Sequence, residues 1–279
     1  MAAPVGATQG YGGNTPCVEV RGADGALIAL DAGMGLYWLG RSLLAGPHGR
    51  GKGELTLLLS HTHWDHIQGF PFFVPAFIPG NRMAVWGGGV DHLEPILEGQ
   101  MNPTYSPLVS LSNLGAQVEF GELGTHPTMT VGGVTITHLT YPSGPHQIVG
   151  YRLEEGGRSL CYLPEVEHPS GEPTPALVEF ARGADILVHE AYYTTEELAQ
   201  GGLSLAGRSG PPAGGHTSFR EATEFGLAAG VGKMYYFYHH PDHDDGTIEA
   251  AVAAERARLR VRGAELDVEA AREGVEFEV

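Results

Sequence analysis

The run Glu54-Leu-Thr-Leu-Leu-Leu-Ser60 passes without a turn residue into His61-Thr-His63-Trp-Asp65-His66. The first seven residues read as a buried β-strand, so three histidines and an aspartate are delivered within six residues at the strand's C-terminal end, where α/β sheets carry their ligands. His61 and His63 are two apart, and an extended backbone points both side chains the same way. The turn that follows can offer Asp65 and His66 to a neighbouring position. Two adjacent metal ions are the natural reading, with imidazole and carboxylate suiting zinc first and manganese or iron as harder alternatives. A polar strand end with surface histidines is the bland alternative, and the density of the cluster argues against it.

Outward from this run, short apolar segments alternate with helical patterns and glycine-rich turns, the signature of an α/β domain with mixed sheets. Strands are expected at Cys17 to Val20, Ala26 to Leu30, Glu54 to Ser60, Met83 to Trp86, Val134 to His138, Ile148 to Leu153, Ser159 to Leu163, Ile186 to His189 and Lys233 to Tyr238. Helices fit Gly35 to Leu44, Asp91 to Glu98, Thr174 to Arg182, Ser218 to Ala229 and Thr247 to Leu259. Ser218 with Glu221 three residues later predicts a capping box and so a helix start. No repeat or linker divides the chain, which predicts one domain over residues 1–279, and the Gly, Ser and Pro density of 200–215 predicts a mobile loop.

A formal charge of -17, from 33 acidic and 16 basic residues with no cluster of Lys or Arg that would mark a polyanion-binding face, argues against a long nucleic acid as partner. It does not fix the field inside a site that binds cations. Cys17 and Cys161 lie in apolar stretches and read as small buried residues, so no disulfide framework is expected. The N-terminus lacks a basic and apolar leader pattern, and the apolar window Phe70 to Ile78 is broken by Pro71 and Pro75. A cytoplasmic protein without a membrane partner is the expectation.

His-x-His-x-Asp-His after an apolar strand resembles the metallo-β-lactamase superfamily. Tyr11-Gly-Gly-Asn-Thr-Pro-Cys-Val-Glu-Val, Leu30-Asp-Ala-Gly and His61 to Phe73 resemble its ribonuclease Z-like branch, which includes small cyclic-phosphate phosphodiesterases. So do Gly150-Tyr-Arg-Leu-Glu, Ala184-Asp-Ile-Leu-Val-His-Glu-Ala, Gly215-His-Thr-Ser and Phe237-Tyr-His-His-Pro-Asp-His-Asp-Asp. The resemblance implies an αβ/βα sandwich of two mixed β-sheets flanked by helices, with a dinuclear site at one edge. It implies His61 and His63 on one metal, Asp65 and His66 on the other, and His239 completing the second, His240 being its adjacent alternative. Asp31 would orient a ligand from behind. Asp65, Glu190 and His216 are the expected catalytic residues, Glu190 and His216 as a pair that moves a proton.

Two positions depart from the branch. Where it has Asn-His-Pro, this chain has Thr140-Tyr-Pro-Ser-Gly-Pro-His146, so His146, carried on a Gly-Pro loop, is the expected replacement ligand. Where it has a bridging aspartate, Tyr162-Leu-Pro-Glu-Val-Glu offers Glu165. The run Gly69-Phe-Pro-Phe-Phe-Val-Pro-Ala-Phe is either core, a subunit contact that would allow a homodimer, or an apolar wall beside the metals. The expected activity is hydrolysis of a small phosphodiester or cyclic phosphate with two divalent cations. Lactone or thioester hydrolysis and a non-catalytic metal-binding module are the alternatives.

Overall fold

The computed structural model describes residues 6–87, 92–106, 110–124, 128–168, 171–201 and 216–279. Contacts gather into two compact units, Asn14–Ile136 and Thr137–Val279, the latter together with residues 6–13.

In the first unit a five-stranded sheet runs β1 (Val18–Arg21), β2 (Leu27–Leu30), β3 (Glu54–Leu59), β4 (Arg82–Gly87) and β5 (Gln117–Glu122), in that order. β1 is antiparallel to β2, and the remaining pairs are parallel. After Glu54 every residue of β3 is buried, as a central parallel strand covered on both faces requires, which is why it reads as an unbroken apolar run. Helix α1 (Gly35–Leu43) buries Leu36, Leu39, Gly40 and Leu43, spacings of three and four that make one face of a helix. The four-residue α2 (Trp64–Ile67) follows β3, and α3 (Leu93–Gln100) follows β4. Phe70 and Phe73 are fully buried while Phe72 is exposed, so most of the phenylalanine run is core.

Two glycines hold the loop after β2 against α2. A Cβ on Gly33 would lie 2.6 Å from the Asp65 carbonyl oxygen, and one on Gly69 would lie 1.9 Å from the Gly33 carbonyl oxygen. The close approach lets Ala32 donate to His66 O at 2.8 Å and Gly69 donate to Ala32 O at 2.8 Å.

The second sheet contains β6 (Thr128–Val131), β7 (Val134–Ser143), β8 (His146–Glu155), β9 (Arg158–Leu163), β10 (Ile186–Glu190), β11 (Lys233–Phe237) and β12 (Asp267–Ala270), in the order β12-β11-β10-β9-β8-β7-β6. Strands β9 to β12 are parallel, whereas β8 is antiparallel to β9. Helices α4 (Pro175–Ala181), α5 (Thr195–Ala199), α6 (Phe219–Ala229) and α7 (Asp245–Arg262) accompany them. Both halves of the Ser218–Glu221 capping box are formed at the start of α6. Leu177, Ala181, Phe219, Phe225 and Met234 belong to the core of this unit.

Differences from the sequence expectations are local. Thr140 to His146 is the tip of the β7–β8 hairpin and not a free loop, with Gly144 at φ 52°. Strands β5, β6 and β12 and helices α2, which falls where a turn was expected, and α5 were not expected. Asp91, the expected start of α3, and residues 202–215 of the expected mobile loop lie outside the described residues. Among the described residues no helix is long and apolar enough to cross a membrane.

Candidate functional site

In the first unit the chemistry centres on Asp31, which ends β2 with a left-handed backbone (φ 64°) and is fully buried. A non-glycine residue is held there only when its surroundings over-determine it, and the surroundings are visible. The Ser60 N–H donates to Asp31 Oδ1 at 2.7 Å, and His66 Nδ1 lies 2.8 Å from Asp31 Oδ2. Ser60 Oγ is 2.8 Å from Oδ2 and 2.9 Å from His61 Nδ1. A carboxylate only accepts, so His66 donates from Nδ1 and the Ser60 hydroxyl gives its single proton to Asp31. His61 must then donate from Nδ1 to Ser60 Oγ. One buried carboxylate thereby fixes both tautomers, one directly and one through Ser60, and leaves Nε2 of each ring as the nitrogen with a lone pair to offer. This is how ligating histidines are held behind a metal.

The rings of His61 and His66 are 4.1 Å apart, and His63 meets His61 edge-on at 4.4 Å. Asp65 Oδ2 lies 3.7 Å from His66 Nε2. The four expected ligands of this motif are therefore gathered. Asp31 occupies the place expected of it, and Ser60 is a residue that the sequence gave no reason to single out.

In the second unit three parallel strands end side by side. His189 pairs with Leu163 across β10 and β9, and Glu190 pairs with Phe237 across β10 and β11. Glu165 follows the end of β9, Glu190 closes β10, and His239 follows β11, so all three come from one edge of the sheet. Glu165 (φ 46°) and Tyr238 (φ 57°) are two more of the four described non-glycine residues with positive φ, and they flank this edge. Glu165 is buried and Glu190 is fully buried.

Glu190 accepts from the Thr217 N–H at 2.8 Å through one oxygen, and its other oxygen lies 2.9 Å from His216 Nδ1. Burial pushes the Glu190 carboxyl up to about 7, against the pull of His216, and the nearby Glu165 carboxylate adds to the rise. Tyr192 stacks on the His216 ring at 4.0 Å and 14°. That tyrosine is a second residue the sequence did not mark.

His239 Nδ1 lies 3.0 Å from the Ala191 carbonyl oxygen, to which it must donate, and its ring stacks on Phe219 at 5.3 Å and 7°. Its Nε2 is buried without a hydrogen-bond partner, and burial lowers its pKa to about 4. A neutral imidazole with an orphaned, buried lone pair fits a metal ligand. His240 is arranged the other way: its Nδ1 accepts from the Asp242 N–H at 3.1 Å, which puts the proton on Nε2 and leaves no lone pair to donate. The hydrogen bonding favours His239 over its neighbour.

Not every candidate is so placed. His146 is exposed at the start of β8. Tyr141, which stands where the branch has histidine, is buried, and its hydroxyl donates to the Pro164 carbonyl. His189 packs against Phe225 of α6, as expected of a strand residue whose successor points to the opposite face.

Residues 28–240 match the model of the β-lactamase superfamily domain. The chain belongs to the β-lactamase superfamily. Within the superfamily its fold is that of YhfI from Bacillus subtilis, a metallo-β-lactamase fold protein (TM-score 0.66, 16% identity, covering 100% of this chain and 97% of that one). The short form of human tRNase Z is also similar (TM-score 0.60, 14% identity, 100% and 97% covered). A ribonuclease Z of Brevibacillus brevis is 39% identical over 74 residues, which span 26% of this chain and only 20% of that protein. The β-lactamase superfamily assignment makes the αβ/βα sandwich of two mixed sheets flanked by helices the fold of this chain.

Proposed function

We propose that this chain is a metal-dependent hydrolase, a dinuclear phosphodiesterase acting on a small phosphodiester or a cyclic phosphate such as a cyclic nucleotide. The proposed metal ligands are His61, His63, Asp65, His66, Glu165 and His239, with two divalent cations, zinc first and manganese or iron as alternatives; His146, exposed on the β7–β8 hairpin, is left out of this set. When bound, such ions would supply Lewis acidity to a phosphoryl oxygen and acidify water. The remaining work falls to the chain. Asp31 and Ser60 keep Nε2 of His66 and His61 deprotonated. Asp65 offers a carboxylate able to take a proton from the attacking water.

The observation that carries the reading is the Glu190–His216 pair. Glu190 accepts the Nδ1 proton at 2.9 Å, so a positive charge on the imidazole is stabilised and Nε2 is the atom that exchanges a proton with substrate. A pair built to protonate a departing oxygen matters when that oxygen is a ribose hydroxyl and hardly at all when it is a nitrophenolate. The His216→Ala variant should therefore lose about a hundredfold to ten-thousandfold on a cyclic nucleotide, little on a nitrophenyl diester, and none of its metal. Equal losses on both substrates would give the pair a positioning role. Hydrolysis of lactones or thioesters with no phosphodiester turned over would overturn the proposal.

A further inference from the structure

The helix α7 carries the alternation Glu255-Arg-Ala-Arg-Leu-Arg-Val-Arg262. On a helix, residues two apart point to different sides while those four apart share a side, so the four arginines divide into two pairs. Arg258 and Arg262 both reach the Glu224 carboxylate on α6, and Arg258 also holds the buried Glu255 at 2.7 Å. This pair is neutralised.

The other pair meets carboxylates less closely, the nearest contact being Arg256 with Glu269 at 3.7 Å. Arg256 and Arg260, joined by Arg272 from the segment after β12, line a cavity of about 460 Å³ whose other walls are Tyr11, Glu249, Val252 and Ala253. Arg272 lies over the Tyr11 ring, 4.5 Å from its centre, and reaches the Gly10 carbonyl and the Tyr11 hydroxyl at 3.4 Å. Arg260 Nε donates to the Arg256 carbonyl at 3.3 Å, and Arg256 Nε donates to the Val268 carbonyl at 2.9 Å. Carbonyls fix a guanidinium without cancelling its charge. The carboxylates at hand include Glu249 in the wall, Glu269 at 3.7 Å from Arg256, Asp245, which is occupied with the N–H groups of Gly10 and Tyr11, and Glu273, whose carboxyl group lies beside Gly12. None of these residues belongs to the proposed reaction site.

In a chain of net charge -17, three arginines gathered on one cavity and hydrogen-bonded mainly to neutral groups present positive charge that an anion can meet. The cavity is within the size range of small-molecule sites. Three guanidinium groups supplied by two chain segments can offer donors to the several oxygens of a tetrahedral phosphate. We propose that this cavity binds the phosphate group of a small organic phosphate.

The test is isothermal titration of the metal-loaded protein with inorganic phosphate and with ribose 5-phosphate at fixed ionic strength. Arg260 is exposed and supports no other element, so Arg260→Ala should fold normally and weaken binding by about tenfold, the usual loss for a charge-assisted contact. Arg272→Ala should do the same. Removing the one wall carboxylate with Glu249→Gln should tighten binding, and Arg262→Ala, on the neutralised side, should change nothing. Phosphate binding at the reaction site would be equal in all four variants and so cannot mimic this pattern. Equal affinity across the variants, or no binding of either titrant, would overturn the proposal.

Discussion

Ser60 is the residue whose role depends most on its neighbours. Its fully buried hydroxyl connects Asp31 to His61. Replacing it with alanine leaves the His61 Nδ1 proton buried without that acceptor, a loss of about 1–3 kcal/mol. It also frees His61 to take the other tautomer, in which Nε2 is protonated. Ser60→Ala should accordingly lower metal affinity by about tenfold to a hundredfold, the usual effect of removing such a support. Chelator competition followed by elemental analysis reads this directly, and Ser60→Thr, which restores a hydroxyl, should recover much of it. Unchanged metal retention in Ser60→Ala would show that the serine does not fix the tautomer. The His61 to His66 motif was legible from spacing alone because its chemistry lies within six residues. Ser60 was not, since a serine at a strand end is ordinary until Asp31, twenty-nine positions earlier, is folded against it.

At the level of elements, what could be read was what one segment decides for itself. β3, β10 and β11 are apolar runs that only a covered parallel strand explains, and the α6 start is written in Ser218 and Glu221. β5 and β12 were missed because edge strands keep polar residues: Gln117–Glu122 alternates charge with apolar groups around a glycine, and β12 is four residues with two acids. The α5 capping box of Thr194 and Glu197 was present in the sequence and unread because only five helical residues follow it. The α6 box has a further task, since Thr217 between His216 and Ser218 donates its N–H to Glu190. Ser218→Ala should cost about 1 kcal/mol, measured as a lower urea midpoint, and Ser218→Asp should restore most of it. If stability is unchanged in Ser218→Ala, the box does not set the helix start.

For the whole molecule, the sequence could not show which buried groups lie together, and one such group controls how stability depends on pH. His168 and His189 stack 6.1 Å apart, and both rings lie against Phe225. Burial lowers His168 to about 4, and burial together with the charge of His168 lowers His189 to about 3. Nδ1 of each ring has a partner, Thr174 Oγ1 and Glu190 O, whereas the Nε2 atoms are buried without one. Both histidines therefore fold neutral. In the unfolded chain they bind protons below roughly pH 6.5. Between that value and the lowered folded values the unfolded state holds more protons, so stability falls as pH falls, by roughly 1.4 kcal/mol per pH unit for each histidine. The loss should stop deepening from this source near pH 4 for His168 and pH 3 for His189, where the folded state titrates too. Acid also releases metals, so urea unfolding is to be followed in metal-loaded and chelated protein alike, and the slope between pH 6.5 and 4.5 should persist in the chelated form. His168→Gln, which keeps a polar group near Thr174 but cannot take a proton, should lower that slope by roughly 1.4 kcal/mol per pH unit, His189 and, in the chelated protein, His239 supplying the rest. A slope that disappears with the metal, or one that His168→Gln leaves intact, would assign the acid sensitivity to other groups.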